Sequence, residues 1–582
     1  MKAFRNRTQS RQALSAPLGG PAAAPAALSF TITLILFSIQ LFFIKPYFPV
    51  NDDIYKVLMA KGIGPAWTAS PYVGYSNVLM GYLLKWLFAR FPLFPWYGAF
   101  LCLAQFLALW AFFQVLCPRG LHRFLGAIFF IGLWAGVYFI FFTFLQFTIT
   151  AALCAQAGIL LFCLGPRAPE DRCGPRLLAG ATGLIGLSAL IRLDALLLTL
   201  LVSLPLILSH LWGGRFKPRL KGEKPWLAAA LLLVLGLWAS NTLWFRADAD
   251  WKDYERFDRG RVEMQDYRIV DYEAKTKPLF DSVGWSRNDL WLFKNWFLAN
   301  PVKFNAQTFE KLEGHFPRWG TTGKIASFHS LGELLESPWD RRILWFALGF
   351  LFLCPAASLG FLSAQLIWVL LLLLALIYGF RAPDRVTLPI LVYLLHLTLY
   401  FARLSGDTGG RQRPLSLNRF RIWAVLASVF FLFSLDFPRD YYLQNIERQK
   451  EERELLAQIR TLGPRDNQLY IVWDFPFEWI GAFNDLECFR GFHLYGLNFS
   501  QTCPAAREIL KPFQVGDPFR DLVDNPRLFL VCSPEKGGPY HDYLKENYGL
   551  EMTARREFTC DYFKVFSVHS SQLGKTQAAR IK

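Results

Sequence analysis

The sequence is poor in charged residues and methionine, and it lacks the short motifs of nucleotide-dependent enzymes. Of its 582 residues only 18% are charged and 5 are Met, whereas 53% are hydrophobic and 16% aromatic. No G-x-G-x-x-G stands between a strand and a helix, and no G-x-x-x-x-G-K-[ST] is present. These absences remove support for nucleotide-sugar chemistry. The composition excludes a soluble multidomain enzyme and predicts a multi-spanning membrane protein.

Cysteine pairs with zinc-ligand spacing such as C-x-x-C are also missing. Cys488, Cys503, Cys532 and Cys560 fall in the last quarter of the chain. In an oxidising compartment they could form two disulfides, and we prefer Cys532 with Cys560 and Cys488 with Cys503 among the three connectivities. Free buried thiols are the alternative.

Hydrophobic runs of membrane-spanning length alternate with short basic loops. The runs predict eleven spans, at 26–45, 95–117, 124–142, 146–165, 177–191, 195–212, 226–246, 342–360, 362–380, 386–403 and 421–436. Residues 76–91 are apolar but short, so they form either a further span or a helix in the membrane interface. The net charge of +17 then reflects loop orientation, and we exclude nucleic acid as a partner.

Loop charges decide the topology. With 76–91 in the interface, fourteen Lys and Arg lie in inside loops and only Arg192, Arg381 and Arg385 lie in short outside loops. We therefore expect a multi-pass protein of the bacterial inner membrane, with residues 1–25 as a cytoplasmic tail and 26–436 as the membrane domain. Residues 46–94, a large loop at 246–341 and an α/β domain at 437–582 should meet on the outer face.

Two adjacent carboxylates follow the first span. Asp52 and Asp53 begin a short amphipathic helix that Asn51 can cap and that Gly62 ends. First-turn acids are ordinary where they only complement the helix dipole. At the mouth of a membrane protein, however, a carboxylate is a natural base for activating a hydroxyl, so a catalytic role is the sharper hypothesis.

The chain resembles the GT-C superfamily of membrane glycosyltransferases, and most closely a bacterial group related to the Gtr-type, O-antigen-modifying enzymes. The residues that carry the resemblance are Asn51-Asp52-Asp53, Pro71-Tyr72-Val73-Gly74-Tyr75-Ser76-Asn77 with Trp86, Pro95-Trp96-Tyr97, Arg192-Leu193-Asp194, and Gly284-Trp285-Ser286-Arg287-Asn288-Asp289. The resemblance implies a mostly helical membrane core with interfacial helices and an outer domain. It also implies an inverting transfer from a polyprenyl-phosphate sugar, with Asp53, or less favourably Asp52, as the base.

The leaving phosphate requires cations near the membrane face, for which Arg192, Arg256 and Lys85 are candidates. Arg192 could instead pair with Asp194 or simply extend its charged group to the membrane interface. Arg256 lies in a charge-rich run that is typical of a solvated loop.

Substrate-binding candidates are Asp194, Asp289, Trp285 and Tyr75. Asp289 and its neighbouring indoles fit a helix cap within an aromatic belt equally well. Asp52 and Asp53 could also hold a divalent cation such as Mg²⁺ or Mn²⁺, although two carboxylates do not make a site by themselves.

The sequence therefore predicts a glycosyltransferase that moves a sugar to a cell-envelope glycan, lipid or protein outside the cytoplasm. A polysaccharide polymerase or ligase that uses polyprenyl-diphosphate glycans would instead place a catalytic Arg or His in the large loop. A lipid or glycan transporter would carry ionisable residues at mid-membrane and symmetric halves.

Overall fold

Helices dominate the structure, a computed structural model, and the strands found among the described residues all lie in the C-terminal region. The residues described are 23–116, 123–165, 174–212, 220–267, 271–298, 300–316, 338–352, 354, 356–379, 383–402, 429, 436–462, 467–473, 480–496, 501–559 and 562–571. The tail 1–25, except the start of the first helix, and most of the predicted span 421–436 lie outside these residues.

Helices fill the first three quarters of the chain. They are α1 Ala23–Phe43, α2 Asn51–Lys61, α3 Val78–Arg90, α4 Trp96–Leu116, α5 Arg123–Leu133, α6 Phe139–Thr143, α7 Phe147–Leu164, α8 Gly174–Val202, α9 Leu204–Leu211, α10 Leu220–Ala247, α11 Ala249–Val262, α12 Lys277–Ser282, α13 Arg287–Lys294, α14 Ala306–Glu313, α15 Pro338–Leu351, α16 Ala356–Gly379, α17 Asp384–Ala402 and α18 Asp436–Leu462.

Six helices within the described residues, α4, α7, α8, α10, α16 and α17, are long and apolar enough to cross a membrane, and α1 and the α5–α6 region hold shorter apolar stretches. The prediction of a multi-pass, mainly α-helical membrane protein is confirmed. Helix α3 has only 13 residues, which at 1.5 Å per residue is too short for a span and fits the interfacial placement.

Helix α8 is interrupted where the sequence predicts an outside loop. Arg192 has φ −159° and ψ 107°, which is extended rather than helical backbone. Before the break, Gly158 of α7 packs against Ile185, whereas after it Val202 shares a groove wall with Gln156 of α7. The two halves of α8 therefore run in opposite directions along α7, as the two spans predicted on either side of Arg192 require.

One predicted span has different bounds. The segment predicted as one span at 342–360 is divided between two helices. Helix α15 has 14 residues and ends at Leu351, and α16 begins at Ala356. Pro355 stands in the sequence between them, and a proline has no backbone N–H to continue a helix. The hydrophobic run conceals this interruption.

The C-terminal α/β domain carries a five-stranded mixed sheet. Its strands are β1 Leu469–Val472, β2 His493–Gly496, β3 Leu528–Val531, β4 Met552–Thr559 and β5 Lys564–Ser570, and its helices include α19 Pro504–Glu508 and α20 Gly537–Tyr548. The strand order is β2-β1-β3-β5-β4, with β2, β1 and β3 parallel and the last two antiparallel. The sequence predicts all of these strands except β2, which is short and lacks Val and Ile.

Two of the four outer cysteines are free thiols. Cys488 packs beside the hydrophobic cluster of the membrane core, whereas Cys503 is buried in the cluster of the outer segments. The predicted Cys488–Cys503 disulfide is therefore wrong, because the two residues belong to different cores. Burial raises the pKa of each thiol to about 12. Cys560, and with it the second predicted disulfide, lies outside the described residues.

The three segments predicted to lie outside contact one another. The segment after α1 pairs with the α/β domain through Phe48 N–H to the Ile480 carbonyl, at 3.0 Å, and Ala482 N–H to the Pro46 carbonyl, at 2.7 Å. The large loop joins them because the Trp473 indole donates to the Asn295 carbonyl over 2.7 Å.

A glycine at the start of α4 fixes the distance between that span and the α/β domain. A Cβ added to Gly98 would lie 2.1 Å from the Ala482 carbonyl oxygen, whereas one added to Gly183 in α8 would meet nothing within 4 Å. We expect Gly98→Ala to lower the apparent melting temperature in nanodiscs by the equivalent of about 1–3 kcal/mol, and Gly183→Ala to leave it unchanged or raise it. Equal effects of the two substitutions would contradict this contact.

Candidate functional site

Asp53 is a buried carboxylate at the first turn of α2. Helix α2 begins at Asn51 with Val50 as its N-cap, so the predicted capping by Asn51 is wrong. Asp53 is 0% exposed, and its Oδ1 accepts a hydrogen bond of 2.5 Å from the Tyr97 hydroxyl at the start of α4. Its Oδ2 has no hydrogen-bond partner among the described residues. One oxygen is thus held while the other is available.

The N-terminus of α7 stabilises this carboxylate. Phe147 is the first residue of α7, and its backbone N–H acts on Asp53 to lower the pKa of this carboxyl. The first N–H groups of a helix have no partner inside the helix and carry partial positive charge, so they favour an ionised acid. Asp52 is only half-buried, and its neighbour therefore has the more constrained environment.

Lys56 places a buried cation beside Asp53. The spacing of three residues brings both side chains to one face of α2, and Lys56 is 1% exposed. Its Nζ lies 2.8 Å from the centre of the Phe147 ring and has no hydrogen-bond partner in the described part of the chain. A desolvated ammonium above an aromatic face retains an electrostatic partner but keeps its hydrogen-bonding capacity unused.

Burial moves both titratable groups towards neutral pH. Loss of solvent raises the pKa of Asp53 to about 7, against the opposing effects of Lys56 and the Tyr97 hydrogen bond. Loss of solvent likewise lowers the pKa of Lys56 to about 7, against the attraction of Asp53. A carboxylate with a pKa near 7 can accept and release a proton at physiological pH.

Arg192 reaches the same place from the break in α8. Its Nη1 donates to the Thr148 hydroxyl over 2.7 Å, and its guanidinium lies 5.1 Å from the Phe147 ring and 5.4 Å from the Tyr75 ring. Asp194 is 3.9 Å away and its side chain is 78% exposed, so this contact is a weak surface pair. The structure therefore leaves Arg192 free for another anion.

Arg385 completes a cation cluster, defined here as Lys56, Arg192 and Arg385. Arg385 lies in the first turn of α17, shares a groove wall with Thr148 and acts electrostatically on Lys56. Below the cluster, Leu198, Val202 and Ile390 line the rest of this narrow groove between α7, α8 and α17, which has a volume of about 20 Å³. Arg192 and Arg385 bring guanidinium groups to the same place as Lys56, and these groups can bind an anion.

Sequence reasoning missed Lys56 and gave Arg385 no role. Lys56 could have been found, because its distance of three residues from Asp53 within an apolar stripe predicts a buried cation on the same face. Arg385 comes from a distant span, and only the packing of α7, α8 and α17 shows its proximity.

Other predicted site residues serve the packing of the large loop. Trp285 is 1% exposed and donates its indole N–H to the Lys303 carbonyl. Asp289 is 0% exposed, forms a capping box with Ser286 and is ion-paired with Lys303. These contacts give Trp285 and Asp289 a role in the packing of the large loop, and their predicted role in substrate binding stays a prediction.

Two predicted phosphate ligands lie elsewhere. Arg256 is bound by both nitrogens of its fork to Glu310, at 2.6 and 2.5 Å, and its side chain is 54% exposed. Lys85 is half-buried on α3 and is not among the charged groups that act most strongly on Asp53 or Lys56. Arg256 is therefore an ion-paired loop residue, whereas Lys85 stays a prediction.

Metal binding receives no geometric support within the described residues. They contain no group of three or more His, Cys, Asp or Glu arranged to hold a metal ion. Asp53 is already bound by Tyr97 and lies beside Lys56, so Asp52 and Asp53 do not fit a divalent cation. We assign no chemical step to a metal.

Comparison with known proteins gives remote structural similarities. No family model matches the chain, and no curated protein is similar to it in sequence. The fold is similar to a crystal structure of ArnT from Cupriavidus metallidurans bound to undecaprenyl phosphate, at 12% identity and a TM-score of 0.46, over 93% of this chain and 97% of that one. The apo ArnT structure gives 12% identity and a TM-score of 0.41 over 94% and 98%.

The Tyr97 hydroxyl sets the acid limb of the pH dependence if Asp53 acts as a base. Its hydrogen bond favours the ionised carboxylate, so Tyr97→Phe should raise the pKa of Asp53 and move the acid limb of kcat/KM from near pH 7 upward by about one unit. Tyr272→Phe, which removes a tyrosine–aspartate bond on the exposed large loop, is the matched control. An unmoved limb in Tyr97→Phe would contradict the role of this bond.

Proposed function

We propose that the protein is an inverting glycosyltransferase that moves a sugar from a polyprenyl-phosphate carrier to an acceptor outside the cytoplasm. The observation that carries this proposal is the buried carboxylate of Asp53 beside the cation cluster, at the ends of membrane helices. A base and an anion site side by side are what the displacement of a phosphate by a hydroxyl requires.

Asp53 would act through its free oxygen. Oδ2 accepts the proton of the acceptor hydroxyl while the oxygen of this hydroxyl attacks the anomeric carbon of the donor. The bond from the anomeric carbon to the phosphate oxygen breaks, and its electron pair leaves with the phosphate. Attack opposite to the leaving group inverts the anomeric centre, and Asp53 is left protonated.

The cation cluster would stabilise the leaving group. A sugar phosphodiester carries one negative charge and the released lipid phosphate carries two, so charge grows at the phosphate during the reaction. Lys56 and Arg192 both lie on the Phe147 ring, which sets their positions relative to Asp53. Fixed cations in a water-poor site stabilise growing charge without rearranging.

A lipid donor suits the surroundings of the cluster. The groove under Arg385 is walled by apolar side chains of three membrane helices. At about 20 Å³ the groove holds little more than a water molecule, so the lipid chain of a phosphate at Arg192 and Arg385 would lie along α7, α8 and α17 only after these side chains move apart. A free nucleotide sugar would gain nothing from this groove.

Removal of the base should abolish transfer. We expect Asp53→Asn to lower the rate of transfer of radiolabelled sugar from synthetic polyprenyl-phosphate sugars to total membrane glycans by about 10²–10⁴-fold, the usual contribution of a general base. Asp52→Asn should lose much less, because Asp52 is only half-buried. Full activity of folded Asp53→Asn would refute the assignment. Turnover of diphosphate-linked glycans alone would favour a polymerase or ligase.

Loss of the cluster should weaken donor use selectively. Arg192→Gln and Arg385→Gln should each lower kcat/KM for the polyprenyl-phosphate donor by about 10–100-fold, the equivalent of one charged hydrogen bond. Arg256→Gln is the matched control, because this arginine is exposed and bound to Glu310. A comparable loss in Arg256→Gln would move the phosphate site to the large loop.

A further inference from the structure

A second cavity lies on the other side of the break in α8. We name it the Tyr75 cavity, and its volume is about 230 Å³. Its wall combines the loop before α3, residues of α8 on both sides of the break and parts of α10 and α11. The residues that line it include Tyr75, Ser76, Leu193, Trp238, Tyr254 and Asp258. None of these elements except α8 lines the groove below the cation cluster.

Tyr75 connects this cavity with the proposed reaction centre. Its ring faces the guanidinium of Arg192 at 5.4 Å, and the charge of Asp52 acts on its hydroxyl. A ligand in the cavity would therefore meet the anion site across a single aromatic ring. The break at Arg192 therefore lies between the groove below the cation cluster and the Tyr75 cavity.

The Tyr75 loop is held in a costly conformation. Tyr75 has φ 52°, in the left-handed region that is unfavourable for a non-glycine residue. Arg261 donates to the Tyr75 hydroxyl over 3.2 Å, is itself 0% exposed and is ion-paired with Asp258 at 2.7 Å. This buried arginine fixes the cavity wall before any ligand binds, which is the hallmark of a preorganised site.

The wall recognises a ligand rich in hydroxyl groups and free of phosphate. Asp194, Glu255 and Asp258 supply acceptor oxygens, and no Lys, Arg or His lines the cavity. The Ser76 hydroxyl has no hydrogen-bond partner in the described part of the chain. Aromatic rings of Tyr75, Trp238 and Tyr254 offer apolar faces for a sugar ring, whereas the lining residues include no cationic side chain that could bind a phosphate.

The cavity opens towards lipid. Only 11% of the most apolar stretch of α10 is buried, and Trp238, which lines the cavity, is 53% exposed. Nearby, the Trp244 indole donates to the hydroxyl of Tyr82 on α3, itself 47% exposed. Tryptophan and tyrosine with one wet and one apolar end are typical of the membrane interface. A ligand attached to a lipid can thus enter from the side.

We propose that the Tyr75 cavity is the acceptor site and that the acceptor is a saccharide carried by a membrane lipid, with no phosphate on the sugar that reacts. This inference rests on the proposed function and narrows its acceptor to one class. Donor and acceptor would approach Asp53 from opposite sides of the break in α8.

Photo-crosslinking tests the cavity without requiring turnover. The probe is dodecyl glucoside with a diazirine on its sugar, added to protein in nanodiscs free of glycoside detergent, with labelled peptides identified by mass spectrometry. We expect labels in α10 and α11 that excess dodecyl glucoside competes away and dodecyl phosphate does not. Leu193→Trp, which fills the cavity, should abolish labelling. Leu197→Trp, which is one turn further on and 53% exposed, should not affect it.

A milder variant protects the test against misfolding. Ser76→Ala removes only an unpaired hydroxyl and should lower labelling about two- to tenfold, the effect of one hydrogen bond. Labels outside the cavity, or equal competition by dodecyl phosphate, would overturn the acceptor site even if sugar transfer is observed. If the expected labelling occurs but no polyprenyl-phosphate sugar is consumed, the Tyr75 cavity still binds a saccharide, and the proposed glycosyltransferase activity is refuted.

Discussion

The burial of Asp53 and Lys56 on one face of a short helix is the constraint on which the rest of the site depends. An isolated charge at this depth would be strongly unfavourable, so each group needs compensation from its surroundings. Tyr97 and the first N–H of α7 supply it for the acid, and the ring of Phe147 supplies it for the lysine. The starts of α4 and α7 must therefore stand where they do.

The outer domain acts as a support for this arrangement. Helix α2 is braced on its far side, where Lys61 is ion-paired with Glu487 and the Gly64 carbonyl accepts from Leu494 N–H. Lys61 has a side chain only 2% exposed, so this pair is held rather than solvated. The α/β domain contributes contacts that hold the end of α2 and the loop after it in place.

Much of this architecture follows from one-dimensional signals. Hydrophobic length predicts the membrane helices, and the Asp pair predicts where the proposed catalytic carboxylate lies, because both signals are local. Asp289 shows the limit of that reasoning, since an acid three residues after Ser286 among tryptophans suits a sugar site and a capping box equally. Its contacts in the fold, the capping box with Ser286 and the ion pair with Lys303, favour the capping role. Arg385 is found only through packing, because no spacing rule connects residues more than three hundred positions apart.

The glycine at the start of α4 has a consequence for tracing the history of this chain. Ordinary substitutions along the spans preserve hydrophobicity while erasing sequence identity, so relatives diverge quickly in most positions. Position 98 is different, because the backbone of the α/β domain leaves no room for a side chain there. A lysine three residues after the acid, followed downstream by this glycine, is a sparse signature that can persist where overall identity no longer does.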